Sequence, residues 1–187
     1  MAETGYLTNQ FLIAMPMLQD PNFFHSVIYV CEHNQHGAMG IAINQPVDLK
    51  LGELIEQMDY QPPDNELAAR QVYCGGPVDS ERGFVLHQPL GDWQATMPVG
   101  DNIGVTTSND IIEAMAKGRG PEHFLVALGY AGWGAGQLEE EIRNNAWLNA
   151  PVNHEVLFGG NAEECWQTAV ALIGVDINQL SGDAGHA

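Results

Sequence analysis

Cys31-x-His33-x-x-His36 puts three metal-ligand side chains inside six residues. A structural zinc site wants four such ligands, a catalytic one three and a water. On a strand, positions 31 and 33 share a face, and a turn would bring His36 back towards them. The spacing matches no standard zinc pattern and no Cys-x-x-Cys pair follows. The expectation is therefore a half-buried cysteine and two turn histidines, with no metal and no cofactor. Cys31 and Cys74 are also candidate nucleophiles. Cys74 precedes Gly75-Gly76-Pro77, whose backbone N–H groups would favour a thiolate. Glu32, beside Cys31, opposes one. A thiol- or metal-dependent enzyme or redox sensor built on Cys31, His33 and His36, or on Cys74, is the alternative reading of these residues.

Gly129-x-x-Gly132-x-Gly134-x-Gly136 lies where a phosphate-binding loop would sit, but Gln137 stands in place of the third glycine of Gly-x-Gly-x-x-Gly. Glu139, Glu140 and Glu141 follow at once and would repel a phosphate. The glycines read better as a tight strand-to-helix corner under Trp133. Ser26, His25, His87, His123 and Asp79 sit in no hydrolase frame such as Gly-x-Ser-x-Gly. Arg82 and His87 read as surface or hairpin-pairing residues. No catalytic residue is assigned. A binding surface is expected from Cys31, His33 and Asn34, from Cys74, Gly75, Gly76 and Pro77, and from Gly129, Tyr130 and Trp133. All three groups fall at predicted strand ends, where clefts open.

The elements that must position them are legible as apolar runs. Strands are expected at 11–16, 26–33, 38–44, 71–74, 83–87, 103–107 and 124–130, the second and third forming a hairpin across Asn34 to Gly37. Leu51, Leu54, Ile55 and Met58 recur at helical spacing. The polar stretch from Asp59 to Glu66 reads as a mobile loop. Ser108-Asn109-Asp110 reads as an N-cap cluster. A helix over 137–147 follows the glycine corner. Asn161 caps the last helix, with Cys165, Ala169, Leu172 and Ile173 on its inner face. Strands come early, in hairpins, without strict strand–helix alternation, which predicts an α+β domain rather than a doubly wound sheet.

The chain has 187 residues, which suits a single domain over 1–187. Six Lys plus Arg against 24 Asp plus Glu give a formal charge of −18. Nucleic-acid affinity is largely counterion release by basic side chains, so direct nucleic-acid binding is not expected. An anionic membrane surface is disfavoured for the same reason, and no run approaches the roughly 20 apolar residues of a membrane helix. A leader without a basic flank and three widely spaced cysteines are read as a reduced, cytoplasmic protein.

Several long motifs, in order, are similar to the YqgE/AlgH family of bacterial proteins. They are Phe11-Leu12-Ile13-Ala14-Met15-Pro16 with Asp20-Pro21, Ser26-Val27-x-Tyr29-Val30-Cys31-Glu32-His33-Asn34, and Gly37-Ala38-Met39-Gly40 with Asn44-x-Pro46. Gly75-Gly76-Pro77-Val78 with Arg82-Gly83-Phe84-Val85-Leu86-His87 follows, then Ala127-Leu128-Gly129-Tyr130-Ala131-Gly132-Trp133 with Gly136-Gln137-Leu138-Glu139-x-Glu141. Asn145-x-Trp147-Leu148 completes the set. The resemblance implies an α+β fold on a coiled, branching, mostly antiparallel sheet with packed helices. It carries over no agreed catalytic residues and no established activity. One branch of the family is described as a transcriptional regulator connected with alginate synthesis. With so acidic a chain, regulation is expected through a protein or small-ligand partner, by a non-enzymatic protein.

Overall fold

The computed structural model describes residues 6–174 apart from 17, 19, 22 and 160. Among them the chain runs β1 (Gln10–Ala14), β2 (Val27–Asn34), β3 (Gly37–Ala42), β4 (Pro46–Lys50), α1 (Leu51–Gln57), α2 (Asn65–Ala68), β5 (Gln71–Cys74), β6 (Val78–Gln88), β7 (Thr96–Gly100) and β8 (Ile103–Thr106). It continues α3 (Asp110–Ala116), β9 (His123–Gly134), α4 (Gln137–Arg143), β10 (Trp147–Pro151), α5 (His154–Phe158) and α6 (Ala162–Leu172). The predicted α+β class holds, on a curled and mostly antiparallel sheet.

β9 organises that sheet. The antiparallel path is β10-β1-β2-β3-β9-β6-β8-β7, and β5, carrying β4, joins β9 in parallel. β5 lies along Val126 to Leu128, while β3 lies along Ala131 to Gly134. Two strands therefore share one edge of β9 in succession, and the sheet branches between them. Gly129 occupies the branch with φ +81°, a left-handed conformation that only glycine adopts cheaply. Gly75 stitches the fork, its N–H donating to Leu128 O at 2.7 Å and its carbonyl accepting from Ala42 N at 2.8 Å.

The central strands are buried on both faces, which explains their nearly continuous apolar runs. Phe11, Ile13, Val27 and Tyr29 meet Trp166, Ala169 and Val170 of α6 on one side. Leu12, Ala14, Ile28 and Val30 meet Leu138 of α4 with Trp133 and Trp147 on the other. A third cluster packs α1 and α3 against Val72, Val85 and Val126.

Several local expectations are corrected. β4, β7 and β10 were not foreseen as strands, and the helix expected over 137–147 ends at Arg143, so that Trp147 opens β10. The 59–66 stretch leads into a one-turn helix, its N-cap Asp64 accepting from Leu67 N at 2.8 Å. Asn109 makes no side-chain cap, and Asp110 instead accepts from Gln94 N at 2.9 Å. Asn161 does cap α6, but Leu172 is exposed while Trp166 and Val170 are buried. No helix among the described residues is long and apolar enough to cross a membrane.

Candidate functional site

The strand carrying Cys31 and His33 breaks the simple alternation. In the β2–β3 register Val30 faces Gly40 and Glu32 faces Met39, so Cys31 is an extra, bulged residue. The bulge shifts every later side chain of β2 to the other face. Cys31 enters the cluster under α6, whereas His33, opposite Ala38, enters the α4 side. Cys31 and His33 therefore do not share a face as expected, and His36 stays out on the exposed turn.

His33 is held through one ring nitrogen. The backbone N–H of Leu7 donates to Nδ1 at 3.0 Å, so the neutral ring carries its proton on Nε2. Nε2 lies 3.2 Å from Glu139 Oε2, off the line of a hydrogen bond. Cys31 is in the core, its Sγ 3.7 Å from Tyr29 O. Burial and, secondarily, Glu32 push its thiol well above the usual range, and burial pushes Cys165 up to about 12. A buried thiol of this kind is a poor nucleophile at neutral pH. Cys74 is half-buried, with Sγ 3.6 Å from Gly76 O.

The other chemical candidates are also engaged. His87 is fully buried, its Nδ1 2.9 Å from Pro89 O and its Nε2 2.7 Å from Thr106 Oγ1. Burial holds it below the usual histidine range. His25 stacks at 4.0 Å on both Phe24 and Trp166. Ser26 Oγ accepts from Gln45 Nε2 at 2.7 Å. Among the described residues no three His, Cys, Asp or Glu side chains gather as a metal site.

The Cys74–Pro77 and Gly129–Trp133 segments meet on β9, and the Cys31–Asn34 segment reaches it only through β3. Val78, next to the Gly75-Gly76-Pro77 loop, pairs with Tyr130, and the start of β3 pairs with Ala131 to Gly134. The glycines are spacing elements there. A Cβ on Gly75 would strike the Gly129 carbonyl, and one on Gly76 the Tyr130 carbonyl. Beside this seam opens a groove of about 610 Å³, whose lining includes Glu32, Met39, Arg82, Phe84, Met97 and Tyr130. Phe84 and Tyr130 pack edge to face at 5.7 Å, and the Arg82 guanidinium lies 5.5 Å from the Phe84 ring centre. Trp133 closes one wall, and Asn34 borders a smaller recess that shares Glu32, Met39 and Trp133 with it. Of the sequence candidates, Asn34, Pro77, Tyr130 and Trp133 face this region, whereas Cys31 and His33 lie behind it.

The supporting layer was missed at the sequence level. Glu141 Oε1 accepts from the indole N–H of both Trp133 and Trp147, each at 2.9 Å, and Oε2 accepts from Gln137 Nε2 at 3.0 Å. The acidic turn that argues against a phosphate loop thus ties α4 to the sheet. Met39, Phe84 and Met97 were also missed as groove residues. Met39 and Phe84 sit on strands whose apolar pattern reads simply as core, and Met97 sits on β7, which was not foreseen.

Fold and groove define an α+β protein whose sheet forks at a glycine in its longest strand. The chain belongs to the AlgH-like family, whose model matches residues 11–178. It is 58% identical over the whole of both chains to a UPF0301 protein of Thioalkalivibrio sulfidiphilus. It is 52% identical to one of Hahella chejuensis, over 97% of this chain and 96% of that one. The solution structure of AlgH from Pseudomonas aeruginosa is similar with a TM-score of 0.80 and 46% identity, covering 98% and 97% of the two chains. A crystal structure of a Corynebacterium diphtheriae protein shares the fold, with a TM-score of 0.73 at 19% identity over 94% and 91%.

Proposed function

We propose that this chain is a non-enzymatic regulatory protein that acts by holding a partner in the groove beside Tyr130. The observation that supports this most directly is the make-up of that groove. Pliable Met39 and Met97 flank the rigid Phe84–Tyr130 pair, with Glu32 and Arg82 on its lining. Methionine adapts to irregular apolar surfaces, and aromatic and arginine residues anchor contacts. The acidity of the chain favours a partner with a basic surface. The thiol reading draws no support from Cys31, which is buried and held protonated. Three unpaired cysteines suit a reducing, cytoplasmic setting.

The test is quantitative capture from native lysate on immobilised wild type, alongside Met39→Asp and Arg82→Glu variants and a Glu113→Lys control far from the groove. A stoichiometric partner kept by wild type and control but lost from both groove variants is the expected result. A partner retained equally by all four would remove the groove from its binding, and no salt-resistant partner would sink the reading.

A further inference from the structure

At the other end of β9 lies a second concavity, of about 520 Å³, lined among others by Arg70, Tyr73, Glu122, His123, Phe124 and Phe158. Its volume is in the range of small-molecule sites. Aromatic rings are set among polar side chains in its lining. His123 meets His154 edge-on at 4.5 Å and stacks near Phe158 at 5.9 Å. Tyr73 is almost wholly buried.

Arg70 is the unusual member. Its guanidinium lies 4.1 Å over the Phe124 ring, and one Nη2–H donates to Phe124 O at 2.9 Å. A long, flexible side chain is thereby ordered before any ligand arrives, which removes part of the usual entropy cost of binding. Among the described residues no carboxylate pairs with it, in a chain with 24 acidic residues. An oriented, unneutralised guanidinium beside aromatic rings matches a planar carboxylate that carries an apolar body. Glu122, 3.6 Å from His123 Nε2, adds negative charge at the lining. That carboxylate disfavours a dianion such as phosphate more than it disfavours a single negative charge.

We propose that this cavity is a binding site for a small organic monocarboxylate, its carboxylate on Arg70 and its apolar body against Tyr73, Phe124 and Phe158. The site stands independently of the groove, and each can fail without the other.

The test is an NMR titration of the full chain with phenylacetate, its neutral analogue phenylacetamide, and inorganic phosphate. Phenylacetate shifts the amides of Tyr73, Phe124 and Leu125 saturably at millimolar concentration. Phenylacetamide binds at least about tenfold more weakly, and phosphate gives no saturable shift. Arg70→Gln keeps an N–H for Phe124 O, lowers phenylacetate affinity about tenfold, and leaves phenylacetamide binding unchanged. If that variant folds poorly, Arg70→Lys, which keeps the charge without the planar fork, shows intermediate affinity. Equal binding of acid and amide, no saturable shift with phenylacetate, or wild-type affinity in the Arg70 variants would overturn the proposal. Phosphate binding as tight as phenylacetate would replace it with a plain anion site.

Discussion

The two ends of β9 carry two concavities that the same strand builds in different ways. At the C-terminal end, Tyr130 and Trp133 open onto a groove whose stiffness comes from beneath, through the Glu141–indole bonds. At the N-terminal end, Phe124 carries Arg70 on its ring and on its carbonyl, so the polar group is itself the fixed element. The groove offers adaptable apolar surface, which suits a macromolecular partner. The cavity offers one oriented charge, which suits a small anion. What separates them is the fork at Gly129, where β9 exchanges β5 for β3 as its neighbour.

Closing that fork would damage both ends at once. Gly76 has φ +155° and its added Cβ would meet the Tyr130 backbone, while Gly129 has φ +81° with the Gly76 carbonyl against it. Gly76→Ala is expected to destabilise the protein by about 3 kcal/mol or more in urea denaturation, through backbone strain and a clash with main chain that cannot step aside. Gly83→Ala, whose Cβ would meet nothing within 4 Å, is the control and stays within about 0.5 kcal/mol of wild type. Equal stability for the two variants would show that the fork tolerates side chains.

Glu141 separates the two ends. Glu141→Ala strands two indole donors, one of them on a tryptophan that is 2% exposed. The expected loss is about 2–3 kcal/mol, and Glu141→Gln, which keeps one acceptor oxygen, loses about half as much. Tryptophan fluorescence reports the change at Trp133 and Trp147. The Arg70 cavity should keep its phenylacetate affinity in both variants, and loss of that affinity would mean the two ends are coupled.

These supports also mark how far the sequence could be read. The hairpin of β2 and β3 and the helices α1 and α6 were legible because their apolar residues recur at the right period. β4, β7 and β10 were not, since each is half-exposed and contains a proline: Pro46, Pro98 and Pro151. The motifs named Tyr130 and Trp133, which line the groove. The shared face expected of Cys31 and His33 was not legible, because a one-residue bulge reverses the faces of a strand without any mark in composition. His33 and Glu139 meet only because β3 and β9 pair, a long-range fact that no local period contains. Arg70 was overlooked because it follows a polar stretch with no apolar pattern of its own.

Acid should weaken the molecule through buried His87 and partly buried His25 rather than through either concavity. Burial holds His87 below the ordinary value of 6.5, and His25 likewise. The unfolded chain therefore takes up protons at a higher pH than the folded one. Stability is full above about 6.5 and falls as the pH drops from there towards the folded-state values. His87→Gln should lose part of this slope in denaturation series between about pH 7 and 5. An unchanged slope would mean that His87 is not the group responsible.

The smallest effect sharpens the comparison most. Arg70 and Arg82 both sit over a phenylalanine, at 4.1 Å and 5.5 Å from the ring centre, but only Arg70 also binds a main-chain carbonyl. An exposed cation–π contact contributes about 0.5 kcal/mol and a net hydrogen bond about 1 kcal/mol. Arg70→Ala is thus expected to cost about 1–1.5 kcal/mol and Arg82→Ala about 0.5 kcal/mol or less, measured by urea midpoints on one preparation. Binding should invert nothing in that order but should sort the two residues by ligand. Arg70→Ala weakens phenylacetate and spares the groove partner, whereas Arg82→Ala does the reverse. A single arginine variant that lost both ligands while retaining wild-type stability would show that one end of β9 answers to the other.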